Sequence, residues 1–133
     1  MRHSLALSIT SVLSILFMTF HLTSDVLRAR AGTPEAGGST VVAVPILVVW
    51  LYGTLLLADR RSGYVIMLVG SLLGLAVPVI HVIGAGGVFR GEIAKGSGPF
   101  LFVWTLHALG VTTMFSLILS LRGLWSFRLG PPR

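Results

Sequence analysis

Two ionisable residues lie one helical turn apart at the end of a long apolar stretch of this chain. They are His21 and Asp25, in the sequence FHLTSDVLR. Residues at positions i and i+4 share a helix face, so the imidazole and the carboxylate are expected to point the same way. Burial of either group without a partner is costly. We therefore interpret the pair as part of a polar site inside a helical membrane domain.

Two more histidines are found within later apolar stretches, at His81 and His107. Gly70 and Gly74 precede His81 at a spacing that places all three residues on one helix face, where small residues allow a neighbouring backbone to approach closely. Ionisable side chains at membrane depth are candidates for a functional site. We predict that His21, His81 and His107 converge in the outer half of one helix bundle.

A transition metal is the first chemistry that this set of side chains suggests. The predicted metal ligands are His21, Asp25, His81 and His107. Three histidines with one open position form a known catalytic zinc pattern, and a carboxylate can instead orient a ligating imidazole. Copper is the alternative metal, because Met18 and Met114 offer thioethers suited to Cu(I). The chain has no cysteine, which excludes thiolate sites.

A b-type haem is the second chemistry, with His21, His81 and His107 as candidate cofactor-binding residues. Two histidines at matched depth on different helices can ligate one iron axially, and glycines beside a ligand make room for a macrocycle. A pigment or a quinone would draw on the same features. The sequence leaves these cofactors open.

Two further interpretations stand beside these, one without a cofactor and one with zinc in a hydrolase. His21 and Asp25 can be interfacial residues, with the imidazole bonded to a backbone carbonyl, in a purely structural or assembly subunit. Ser24 beside Asp25 also permits an intramembrane zinc hydrolase, although no motif fixes a nucleophile and a base within reach of one another.

The composition indicates the environment that must hold these residues. Of the 133 residues 54% are hydrophobic and 11% are charged, and the mean hydropathy is +0.93. Soluble domains contain about 25% charged residues, so the chain is predicted to be an integral membrane protein. Its net charge of +6 comes from short clusters between apolar runs. Because no basic face with interleaved aromatic residues is present, nucleic acid is not an expected partner.

Four apolar runs are long enough to cross a bilayer core, which takes roughly 20 residues as a helix. They cover about Ser4–Asp25, Thr40–Ala58, Tyr64–Gly84 and Pro99–Leu121. The connections between them are short and rich in glycine, proline or charge, which favours neighbouring antiparallel helices. The first run is longer than the 7–15 residues of a signal-peptide core, so we interpret it as a retained helix. The predicted fold is an all-α, antiparallel four-helix transmembrane bundle in one domain, 1–133.

The positive charges predict an orientation. With the N-terminus inside, the inner segments carry six Lys or Arg residues and the outer loops carry four. This difference favours both termini inside, in a plasma or inner membrane. The expected partners are the lipid bilayer and either other membrane subunits or further copies of the chain.

Overall fold

The computed structural model describes the backbone of residues 2–30, 37–83 and 97–129. These residues form four helices, which in chain order are α1 (Arg2–Arg30), α2 (Gly37–Leu56), α3 (Arg61–Ile83) and α4 (Ser97–Leu129). A short turn joins α2 to α3, and no strand occurs in the part of the chain that the structure describes. The all-α class predicted from the sequence is thus confirmed over these ranges.

The helices do not end where the apolar runs end. α1 continues to Arg30 and α4 continues to Leu129, beyond the predicted ends at Asp25 and Leu121. Hydropathy marks the part of a helix that suits a lipid core, whereas arginine and leucine are both good helix formers in water or in lipid. A charged residue at the end of an apolar run therefore ends the expected span without ending the helix.

Three of the four helices are long and apolar enough to cross a membrane. The candidate spans are Ser4–Ser24, Arg61–His81 and Phe100–Phe127. Within the described residues of α2, the apolar segment is the shorter Val42–Leu56. The crossing by α2 and the antiparallel four-span arrangement therefore stay predictions.

The helices pack pairwise. α4 lies against α1 and α3. α2 also lies against α1 and α3. Tyr64, near the start of α3, contacts Phe127 near the end of α4, with ring centroids 5.4 Å apart. His81, near the end of α3, contacts Phe102 near the start of α4, with ring centroids 5.7 Å apart. The two ends of α3 thus meet opposite ends of α4.

Hydroxyl groups occupy much of the interior. Seven serine and threonine residues are at most 1% exposed, namely Ser11, Ser14, Thr54, Ser71, Thr113, Ser116 and Ser120. The Ser11 and Thr54 hydroxyls lie 2.8 Å apart between α1 and α2, and the Ser71 and Ser116 hydroxyls lie 2.8 Å apart between α3 and α4. Lipid is as apolar as leucine, so small and polar residues mark helix interfaces in a membrane. Large aliphatic side chains are correspondingly exposed along all four helices.

Trp50 is the bulkiest buried side chain of α2 and fills the space beside the glycines of α3. Its indole Nε1 donates to the Ser11 hydroxyl at 2.8 Å. A Cβ added to Gly70 would collide with the indole, and one added to Gly74 would lie 2.7 Å from Thr113 Cγ2 and 3.2 Å from Trp50 Cη2. The glycine face of α3 is buried as expected, but the space it leaves receives an indole ring and a threonine.

Candidate functional site

The structure brings two predicted site residues into direct contact. His21 of α1 is 2% exposed, and its ring centroid lies 4.9 Å from that of His81 of α3, with the ring planes at 87°. The buried face of α1 carries Ser14, Met18 four residues later and His21 three residues after that. His81 lies seven residues after Gly74 on the buried face of α3. Two faces selected by helical periodicity therefore meet at the same depth.

Phe102 of α4 completes this cluster and was missed in the sequence analysis. Its ring centroid lies 5.2 Å from that of His21 and 5.7 Å from that of His81. Phe102 continues the buried face of α4 that also carries Thr113 and Ser116. The small polar residues of that face were the available signal, since such residues mark helix interfaces in lipid.

His107 lies on a different face of α4. Its ring is exposed, and its Nδ1 lies 2.8 Å from the carbonyl oxygen of Val103 in the same helix. Trp104 and Met114, which share its face, are also exposed. Within the part of the chain that the structure describes, His107 does not line the cavity beside the His21 and His81 rings. α4 turns its hydroxyl face to α1 and α3, which carries the His107 face outward.

The predicted ligand Asp25 lies one turn beyond His21 in the backbone of α1. Its side chain is outside the described residues. The expectation that it shares a face with His21 therefore rests on helical spacing alone.

One hydrogen bond places a hydrogen on Nδ1 of His81. Its Nδ1 lies 2.8 Å from the carbonyl oxygen of Val77. A carbonyl oxygen can only accept, so Nδ1 carries the hydrogen and donates it. In the neutral ring, Nε2 then has a free electron pair that can bind a metal ion or accept a hydrogen bond. Metal-ligating histidines commonly hold their second nitrogen in this way.

A cavity of about 290 Å³ adjoins the two histidines between α1, α2 and α3. Its lining is mostly aliphatic and also includes Met18, Trp50 and Gly74. Met18 is buried and lies one turn before His21 on α1. Two imidazoles and one thioether therefore border the same apolar space.

The ring separation discriminates between the predicted cofactors. Two imidazoles that bind one ion at about 2.0–2.1 Å, at an angle near 100–110°, have ring centroids roughly 5 Å apart. The observed 4.9 Å is compatible with such a shared ion, and it is also the separation of an ordinary edge-to-face ring contact. Axial haem ligands face each other across a macrocycle at more than about 6 Å. Because the His21 and His81 rings touch each other, the pair does not fit axial ligation of a haem.

A metal at this pair needs a third ligand of another type. Among residues 2–30, 37–83 and 97–129, the described side chains include no cluster of three His, Asp or Glu residues suited to a metal ion. Met18 borders the same cavity as both histidines, and Asp25 is the remaining candidate from the sequence.

Comparison of the chain with protein-family models, curated proteins and solved structures finds no match.

Proposed function

We propose that this protein is a four-span integral membrane protein that holds a copper(I) ion between His21 and His81, with Met18 as the third ligand. The observation that carries the proposal is the His21–His81 contact at 4.9 Å beside a cavity that Met18 also lines. Such a chain would serve as a subunit or accessory of a larger membrane complex.

The ligand types favour Cu(I) over zinc. Thioether and imidazole ligands suit Cu(I), whereas zinc in proteins is usually four-coordinate with nitrogen, thiolate or carboxylate ligands. The third histidine that a zinc site would need, His107, is exposed on α4. Charge also matters in an apolar cavity, because uncompensated charge is costly there. A monovalent ion with three neutral ligands carries less charge than a divalent one.

Copper binding by the purified full-length chain tests this proposal. We expect one Cu(I) per chain in competition with a chromophoric Cu(I) chelator. His21→Ala and His81→Ala should each weaken binding by about 100-fold or more, since loss of an outer-shell partner alone costs 10–100-fold. Met18→Leu, which conserves volume, should weaken binding by roughly tenfold. His107→Ala is the matched control and should leave the affinity unchanged.

The same assay tests whether Asp25 acts together with His21. If Asp25 orients His21, then Asp25→Asn should weaken binding, and the double variant with His21→Ala should lose less than the sum of the two single losses. Arg28→Gln is the control on α1. A chain that binds no Cu(I) would instead support a structural subunit without a cofactor. If His107→Ala weakens binding as much as His21→Ala does, the proposed ligand set is wrong, because His107 then takes part in the site.

The proposed topology places both termini inside and has four crossings in an antiparallel bundle. In this topology α2 crosses the membrane in addition to α1, α3 and α4. α2 has 20 residues, which at 1.5 Å per residue gives a length of about 30 Å, the thickness of a hydrocarbon core. The turn between α2 and α3 carries Arg60, and Arg61 begins α3. A positively charged turn as short as this favours the inner side.

Single cysteines test the topology because the natural chain has none. Cysteines at Gly37 and Gly96 should react with an impermeant maleimide added to intact cells, whereas a cysteine at Ser62 should react only after the membrane is permeabilised. Labelling at Ser62 without labelling at Gly37 would mean the opposite orientation. Equal labelling of all three would contradict four spans.

A further inference from the structure

A second cavity neighbours the one beside the histidine pair. The second cavity has a volume of about 330 Å³, lies between α2 and α3 and has an entirely apolar lining. Ile46, Trp50 and Leu73 line both cavities, so the two are neighbours on either side of these residues or along them. The two cavities are here together called the α2–α3 groove, which has His21 and His81 at one end and Val65 at the other. Each cavity is near the lower end of the roughly 300–1,000 Å³ typical of small-molecule sites.

The groove is open on its outer side. Ile46, Leu73 and Val49 line it and are also exposed. Pro45 borders it within α2 and removes a backbone donor from the helix there. In the proposed membrane orientation this side faces the hydrocarbon core. A ligand would therefore enter sideways from the bilayer and would need a hydrocarbon portion.

The polar end of the groove selects the head group. Because His81 Nδ1 donates to the Val77 carbonyl, Nε2 of the neutral ring accepts, and a ligand must donate to it. A hydroxyl group is such a donor. None of the described residues that line either cavity is Lys, Arg, Asp or Glu. A charged phosphate head would have no opposite charge in the groove and would lose its hydration, which is unfavourable.

We propose that the α2–α3 groove binds a single-chain lipophilic alcohol or phenol, with its chain along Trp50 and its hydroxyl at His81. This inference goes beyond copper binding, since it needs only the apolar walls and a neutral His81. Copper and the hydroxyl use the same nitrogen. The copper-loaded protein is therefore expected to keep its affinity for the hydrocarbon part of the ligand and to lose its preference for the hydroxyl group.

Trp50 is a natural reporter of groove occupancy. It is 2% exposed and lines both cavities, whereas Trp104 and Trp125 are 62% and 68% exposed. With Trp104→Phe and Trp125→Phe as background, the full chain in nanodiscs of unbrominated phosphatidylcholine has one tryptophan. The probe is a long-chain alcohol brominated at mid-chain, added in the presence of a copper chelator. Bromine quenches indole fluorescence on contact, so binding should appear as saturable quenching that an unbrominated alcohol reverses.

Filling the groove should block the probe. Ala43 of α2 lines the cavity beside the histidines, and Ala43→Phe should weaken binding by about tenfold or more because a benzyl group would occupy the space of the chain. Val48→Phe adds comparable bulk on the exposed face of α2 and serves as the control. Quenching that rises in proportion to the probe without saturating, and that the unbrominated alcohol does not reverse, would overturn the proposal, because ordinary surrounding lipid behaves in that way. This measurement uses no groove variant and so does not depend on the folding of Ala43→Phe.

The contribution of the hydroxyl group is measured by comparing two probes of the same length. A brominated hydrocarbon of the same length but without the hydroxyl should bind about fivefold more weakly, as expected for one hydrogen bond. His81→Ala should abolish this difference and leave the hydrocarbon affinity unchanged. An equal preference for the alcohol in wild type and His81→Ala would overturn the placement of the hydroxyl at His81. Copper binding is measured separately, so failure of either proposal leaves the other decidable.

Discussion

Replacing Trp50 with alanine is expected to destabilise the helix assembly by about 3 kcal/mol, near the lower end of the range for removal of a buried aromatic side chain. The indole is buried between α1, α2 and α3, fills the space beside Gly70 and Gly74, and donates a hydrogen bond to Ser11. We expect a destabilisation at the lower end of this range because moving an indole ring from lipid into the protein interior contributes little transfer free energy. The loss comes instead from the cavity left behind and from the one hydrogen bond that the indole donates, since the Ser11 hydroxyl keeps its contact with the Thr54 hydroxyl.

The measurement is the thermal midpoint of the purified chain in detergent, which should fall by roughly 10 °C for a chain of this size. The chain supplies its own controls, because Trp104 and Trp125 are exposed on α4. Trp104→Ala and Trp125→Ala should each shift the midpoint by no more than about 3 °C, the size of a surface substitution. Equal shifts for all three tryptophans would mean that Trp50 does not lie between the helices.

The second large effect is expected at Gly74, where leucine should destabilise the assembly by about 3 kcal/mol or prevent it from forming. A Cβ alone would approach Thr113 of α4 to 2.7 Å and Trp50 of α2 to 3.2 Å. Overpacking of this kind typically costs 1–3 kcal/mol, and more when backbones must separate. Leucine is also a better helix former than glycine by about 0.8 kcal/mol. A net loss would therefore come from packing between helices and not from the helix itself.

Ala76→Leu provides the comparison, because Ala76 is exposed two residues further along α3. It should leave the thermal midpoint within a few degrees of wild type. Circular dichroism in the same detergent separates loss of packing from loss of helix, and the helix content of Gly74→Leu should be unchanged. If Gly74→Leu is as stable as Ala76→Leu, this face of α3 does not meet α2 and α4, and His81 loses its place in the interior.

Both variants also bear on the candidate site, since Trp50 and Gly74 line the cavity beside the histidines. Trp50→Ala enlarges that cavity, whereas Gly74→Leu fills it. The residues that hold the helices together are therefore the same residues that shape the groove. For this reason, copper and alcohol binding are best tested with His81→Ala, Met18→Leu and Ala43→Phe.

The sequence by itself determined the helices, and the faces and depth of two of the histidines. Long uncharged runs broken by glycine, proline and charge allow little but helices in a membrane, because every backbone group must be paired within its own segment. The depth of each histidine in the membrane followed from the helical rise of 1.5 Å per residue. The faces of α1 and α3 followed from serine, methionine and glycine at helical spacing, which led to His21 and His81.

Only the tertiary structure decided the rotation of α4 and the occupant of the glycine face. His107 is exposed and Phe102 contacts the histidine pair, although both lie in one apolar run. A helix in lipid is apolar on every side, so hydrophobicity does not distinguish the face toward protein from the face toward lipid. The hydroxyl residues of α4 fix its rotation through contacts such as Ser71–Ser116, and Trp50 reaches Gly70 and Gly74 only because α2 packs beside α3. These contacts join residues distant in the sequence, and helical periodicity contains no information about which helix will be the neighbour.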